Sequence, residues 1–198
     1  WEFKLRPGVK WTDGQPLRPE DIVFSIERAR KVPGSVAPFS GFVRSIESAQ
    51  AQGDDTVIVK TKAPSPNLPL DLASIHIVSK HVGETVKPAD YDSGKAMVGT
   101  GPYKFESYTP GDRVIMTRND GYWEGPQPWE KVVYRYISNP ASRTAALLSG
   151  DVDVIDKVSV SDLPRLKESK DLAVYAYPGL RVMLLQPSFR KGPNQYLT

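Results

Sequence analysis

Residues 1–28 read Trp1-Glu-Phe-Lys-Leu-Arg-Pro-Gly-Val-Lys10-Trp-Thr-Asp-Gly-Gln-Pro-Leu-Arg-Pro-Glu20-Asp-Ile-Val-Phe-Ser-Ile-Glu-Arg28. Trp1, Phe3 and Leu5 alternate with Glu2, Lys4 and Arg6, the period of a half-buried strand. Pro7-Gly8 and Asp13-Gly14 are turn dipeptides, in which glycine supplies the positive φ that other residues resist. Pro19 suits the first position of a helix, where its missing N–H has no helical partner to lose. Glu20 and Asp21 then set negative charge against the partial positive charge of the helix start. The stretch therefore predicts a strand, two tight turns and a helix over roughly 19–31.

Outward from this start, 18 prolines and 15 glycines divide the chain into short elements. A loop follows the helix up to Gly41, then a hairpin of residues 43–51 and 56–62 turning at Gly53-Asp54-Asp55. Asn67–Ala73 suits a short helix and Ile75–Val78 a buried strand. Residues 84–98 are polar and weakly periodic, and a domain crossing is expected at their end. A second hairpin, 102–108 and 112–118, turns at Pro110-Gly111-Asp112. Lys131–Ile137 reads as a strand. Asn139 and Pro140 make a good N-cap and first position for a helix closed by Gly150. Asp151–Ile155 reads as a strand, Ser161–Lys167 as a short helix, and Leu172–Tyr177 and Leu180–Leu185 as strands. Such alternation after residue 130 predicts an α/β sheet with crossover helices, whereas residues 1–98 read as a hairpin-rich α+β unit.

The literal residues resemble a known signature. Phe3, Leu5, Arg6, Gly8, Val9, Lys10, Trp11, Asp13 and Gly14 are similar to the first half of the pattern of the family 5 extracellular solute-binding proteins. Pro16, Glu20, Asp21, Ile22, Ser25 and Arg28 match its second half. Val98-Gly-Thr-Gly-Pro-Tyr103 and Ser149-Gly150 with Asp153-Val154 match later family runs in the family's order. These are the peptide, nickel and oligosaccharide receptors of bacterial ABC importers. The resemblance implies an α/β fold, a partial lobe of the periplasmic-binding-protein type II-like class. It divides the chain into residues 1–98, the small α+β subdomain, and 99–198, part of the ligand-binding lobe with the opposite lobe absent. It also implies strands preceding Trp1 and a second lobe following Thr198.

Composition sets limits on rival chemistries. At 198 residues, 25% charged and 39% hydrophobic, the chain suits an ordinary globular protein. It has no run of the ~18 apolar residues a membrane span needs. The net charge of +3 is interspersed among 23 acidic residues, so the clustered basic footprint of a nucleic-acid binder is missing. With no cysteine and two histidines, His76 and His81, five residues apart, no Cys nucleophile, thiolate site or helical two-His metal motif is available. Gly99-Thr-Gly-Pro lacks the third glycine and following helix of a dinucleotide loop. Asp151, Asp153 and Asp156 lack the glycine turn and distal acid of a calcium loop. No G-x-S-x-G nucleophile elbow occurs.

Neither a catalytic residue, a metal ligand nor a cofactor is therefore expected. The residues suited to ligand binding follow from the resemblance and its order along the chain. Phe39 corresponds to an aromatic near the cleft, and Ser74, Ile75 and His76 to a segment lining it. His76, flanked by Ile75 and Ile77, is expected to be partly buried, a polar group giving direction to an apolar pocket. Arg181, in the expected strand 180–185, is suited to a bidentate grip on a carboxylate. Gln186 departs from the Asn usual there in the family. The expected function is a solute receptor of an ABC importer, binding peptide or another small solute and handing it to permease subunits. Its location is periplasmic or on the extracytoplasmic membrane face, with membrane contact only through the permease or a lipid anchor outside this chain. Two other classes remain open on sequence: a hydrolase with an unrecognised carboxylate pair, and a stand-alone carbohydrate-binding module with an aromatic platform.

Overall fold

The computed structural model describes residues 1–32 and 39–179. The chain falls into two compact units, Trp1–Tyr136 and Ile137–Thr198.

In the first unit, β1 (Glu2–Lys4) leads into the small turn around Asp13-Gly14. That turn is closed by Trp11 N–H to Gln15 O at 2.8 Å and Leu17 N–H to Val9 O at 3.0 Å. Next comes α1 (Pro19–Arg30), with Pro19 at its first position and Arg28 and Arg30 complementing its C-terminal end. A short α2 (Ser40–Val43) precedes β2 (Ile46–Gln52) and β3 (Thr56–Thr61), an antiparallel hairpin. β1 pairs with the other edge of β3, giving the order β1-β3-β2.

Register explains which face is buried. Val57 pairs with Phe3 and Ala51, and Val59 with Ala49, so these side chains share one face. Against it α1 lays Ile26 and Ala29, and the core is completed by Val43, Ile46, Leu68 and Ile75. Ile26, Ile46, Val57 and Leu68 are fully enclosed. Each such side chain stabilises the unit by roughly 1.5–3 kcal/mol.

Three short helices follow: α3 (Leu68–Leu72), α4 (Lys80–Gly83) and α5 (Pro88–Asp92). The unit ends with a second antiparallel sheet of β4 (Tyr103–Thr109), β5 (Arg113–Arg118) and β6 (Lys131–Arg135), in that order. A bulge between Phe105 and Ser107 lets Phe105 and Tyr108 both lie on the face of Met116 and Val114.

The second unit is built on α6 (Pro140–Leu148) and α7 (Leu163–Glu168). Asn139 Oδ1 accepts from Ser142 N–H at 3.0 Å, the expected cap. At the other end Gly150, φ 78°, donates to Leu147 O, and Asp151 donates to Ala146 O. That pair of bonds is the Schellman closure. Thr144 Oγ1 donates to Asp162 Oδ2 at 2.9 Å and ties α6 to the residues before α7. Arg143 spans 137–157, donating to Ile137 O, Ser138 O and Lys157 O.

Three expected strands are not formed: Ile75–Val78, Asp151–Ile155 and Leu172–Tyr177 are irregular. A strand needs a ladder, and among the described residues none offers one to these segments. The expected crossover sheet after residue 130 is corrected accordingly. β6 instead closes the antiparallel sheet, and helices follow it. The segment 180–185 lies outside the described residues.

Candidate functional site

The opening signature assembles around one carboxylate. Asp21 lies in the first turn of α1 with only 5% of its surface exposed. Its Oδ2 accepts from Trp11 Nε1 at 3.1 Å and from Arg18 N–H at 2.9 Å, and its Oδ1 accepts from Lys80 N–H at 2.7 Å. One turn on, Ser25, 2% exposed, donates to Asp21 O at 2.7 Å and accepts from Val78 N–H at 2.9 Å. The stretch 78–80 is thus held by two side chains of α1 rather than by a neighbouring strand, which accounts for the missing ladder at 75–78. Neither role was read from sequence. The available signal was two polar residues, four apart, on the buried stripe of α1.

The turn of residues 11–15 reaches further. Thr12 N–H donates to Gly99 O at 2.8 Å and Gly99 N–H to Thr12 Oγ1 at 3.3 Å. Asn119 grips the same run from the other side, donating through Nδ2 to Gly101 O and through its backbone to Pro102 O. Gly99–Pro102 is therefore clasped on both flanks.

Asp13 Oδ2 lies 2.7 Å from His81 Nε2, and Ser79 Oγ lies 2.7 Å from His81 Nδ1. A carboxylate, an imidazole and a hydroxyl in line is the arrangement of acyl-transfer enzymes. Here, however, Ser79 is 2% exposed and its oxygen caps α4, accepting from Val82 N–H at 3.3 Å. An enclosed capping hydroxyl has no approach for a substrate carbonyl, so the trio serves as a structural relay. No group of three or more His, Cys, Asp and Glu side chains suited to a metal ion exists among the described residues. None of their helices is long and apolar enough to cross a membrane.

The residues expected to meet a ligand fall on and around α2 and α3, which pack against each other. Phe39 precedes α2 with 47% of its surface exposed, its ring 6.1 Å from that of Phe42. Ser74 and Ile75 form the exit turn of α3, their N–H groups donating to Asp71 O and Leu72 O. Ile75 is 8% exposed and its side chain belongs to the core. His76 is exposed, which corrects the expected partly buried histidine: the chain leaves the core at Ile75, and the next side chain faces outward. Arg181 lies outside the described residues.

After β5, Arg118 Nε donates to Asp120 Oδ1 at 2.7 Å, and this bond holds the guanidinium above the ordinary arginine range. Tyr122 is pushed up by partial desolvation and by its hydrogen bond to Glu124 Oε2 at 3.0 Å. Arg6 lies over the neighbouring Trp123 ring at 4.2 Å.

The family model for bacterial extracellular solute-binding proteins, family 5, middle, matches residues 1–195. The chain is 27% identical to the dipeptide-binding protein of Escherichia coli K12 over an alignment of 215 positions that covers 98% of this chain and 40% of that protein. Among solved structures it resembles the oligopeptide-binding protein AppA of Bacillus subtilis in complex with a nonapeptide. That match has TM-score 0.72 and 27% identity, covering 84% of this chain and 34% of that one. It resembles equally the solute-binding protein MoaA of A. tumefaciens R10 in complex with mannopinic acid, at TM-score 0.72, 34% identity and the same coverages. The fold is thus α/β, a partial lobe of the periplasmic-binding-protein type II-like class. The chain spans 24–40% of the length of the curated relatives it matches. With the signature residues placed and the match running from Trp1 to residue 195, the chain belongs to the family 5 bacterial extracellular solute-binding proteins.

Proposed function

We propose that this chain forms part of one wall of a ligand cleft in a longer solute receptor of an ABC importer. The observation that carries this reading is the family match over residues 1–195. A peptide is the favoured solute, because the matched relatives include a dipeptide-binding protein and an oligopeptide-binding protein. The receptor works outside the cytoplasm and delivers its solute to permease subunits in the membrane. It binds without chemical conversion, in keeping with the transport role of its family.

In this reading residues 1–98 are the small subdomain and 99–198 belong to the ligand-binding lobe. Phe39, Ser74 and His76 face the solute, Ile75 contributes its backbone, and Arg181 completes the set. Support comes from the open polar groups at the exit of α3: the Ser74 hydroxyl and His76 imidazole carry no hydrogen bond among the described residues. The fastening of 78–80 by Asp21 and Ser25 would hold this exit in one geometry before the solute arrives, which lowers the ordering cost of binding. The solute then favours the closed receptor because only there does it touch both walls.

The test is a fluorescence titration of the full-length receptor with alanine di- to pentapeptides, alongside its Phe39→Ala and His76→Ala variants. Saturable binding that weakens by about tenfold in each variant, or 1.4 kcal/mol, is expected. Absence of binding by every peptide, or affinities unchanged in both variants, would overturn the peptide reading or the site assignment respectively.

A further inference from the structure

The face of the second sheet that carries Phe105 and Tyr108 forms, with α5 and the residues after it, a cavity of about 240 Å³. Four aromatic rings line it, those of Tyr91, Phe105, Tyr108 and Tyr136, together with the thioether of Met97. The one charged residue lining it is Asp92, and no Lys or Arg does so. Asp92 has no hydrogen bond or ion pair among the described residues. It also ends α5, where carboxylate charge meets the negative end of the helix and gains nothing from it. Phe105 rests on Gly94, where a Cβ would collide with the ring, so this side of the aromatic wall depends on close backbone approach. Tyr91 already engages one cation, with the Arg28 guanidinium 4.7 Å from its ring centroid.

Aromatic rings present negative π faces, and a cavity walled by them favours a bulky, weakly hydrated cation over a metal ion. An unpaired carboxylate at the same cavity adds charge complementarity. We propose that this cavity is a binding site for a free small organic cation of the alkylammonium class. The inference is independent of the transport reading and concerns residues outside the proposed solute-facing set. Its volume accommodates a trimethylammonium head with room for a short substituent.

The probe is tetramethylammonium chloride, titrated into the full-length receptor and followed by amide and methyl NMR shifts. Sodium chloride at equal ionic strength and neopentyl alcohol, the neutral counterpart in shape, are the controls. Saturable shifts confined to residues 91–97, 105–108, 114 and 136 are expected with the cation alone. Tyr108→Leu keeps apolar volume but removes a π face, and should weaken binding by about three- to thirtyfold, the range of one cation–π contact. Asp92→Asn should weaken it in the same direction, and both substitutions are mild enough to leave the fold checkable by the remaining shifts. Lack of saturation, equal binding of neopentyl alcohol, reproduction by sodium chloride, or unchanged affinity in Asp92→Asn with Tyr108→Leu would each overturn the proposal.

Discussion

Replacing Asp21 by Ala removes the acceptor shared by Trp11 Nε1, Arg18 N–H and Lys80 N–H. All three donors lie in or beside the first unit's interior, and Asp21 itself is 5% exposed. Hydrogen bonds to a charged acceptor contribute about 1.5–3 kcal/mol each, but the two backbone donors are partly buried and recover some hydration. The net cost of Asp21→Ala is therefore about 3–5 kcal/mol, in the range kept for breaking a buried polar network. Asp21→Asn is nearly isosteric but turns one oxygen into a donor. Its amide must face either Lys80 N–H or the Trp11 and Arg18 donors, so a cost of about 2 kcal/mol remains. Urea unfolding of the three proteins, read by tryptophan fluorescence, measures the difference. Native-state amide exchange adds the location: protection at Val78 and Lys80 should fall before that of β3. An Asp21→Ala variant within about 0.5 kcal/mol of the parent, the level of an ordinary surface change, would refute the role assigned to this carboxylate.

Further outcomes can be checked with single substitutions. Gly94 and Gly111 both have positive φ, 84° and 73°, but only Gly94 faces a ring, that of Phe105. Gly111→Ala should cost about 1 kcal/mol from backbone strain and Gly94→Ala about 2–4 kcal/mol once the collision is added; equal melting temperatures for the two variants would contradict this. Asn139→Ala should destabilise α6 by about 1 kcal/mol, seen as faster exchange at Ser142 N–H. In Glu124→Gln the Tyr122 hydroxyl should titrate at lower pH than in the parent, though only part of the shift is lost because desolvation is its larger cause. The sign follows from linkage: a raised tyrosine favours the neutral form in the folded chain, so its contribution holds below the unfolded value and fades as pH rises through the folded one. Site-resolved NMR of Tyr122 reads this directly.

Local signals that act through the backbone were legible from residues alone. Pro19, Glu20 and Asp21 mark the start of α1, Gly53 and Gly111 the two hairpin turns, and Asn139 with Gly150 both ends of α6. These depend on neighbours within a few positions. Ile75–Val78 failed as a strand because its pairing is decided by Ser25, 53 residues away, whose hydroxyl takes the place of a ladder. Asp151–Ile155 and Leu172–Tyr177 carry strand composition, but composition does not supply the neighbouring strand that pairing requires. At the candidate site, His76 follows a core residue directly, and its exposure depends on where the chain leaves the core after Ile75. The role of Asp21 was hidden for another reason: an acid at a helix start already has a sufficient local explanation in the Arg18 N–H, so its donors further off, Trp11 and Lys80, added nothing visible to the pattern.

The central claim is that this chain supplies one wall of a two-walled receptor, and calorimetric titration of the same peptide into this chain and into the full-length receptor tests it most directly. The account predicts saturable binding by the full-length protein and affinity at least about a hundredfold lower for the chain alone, since contacts made only in the closed state worth about 2.7 kcal/mol or more are then missing. Equal affinity in the two would contradict it, because the whole site would then lie within these 198 residues.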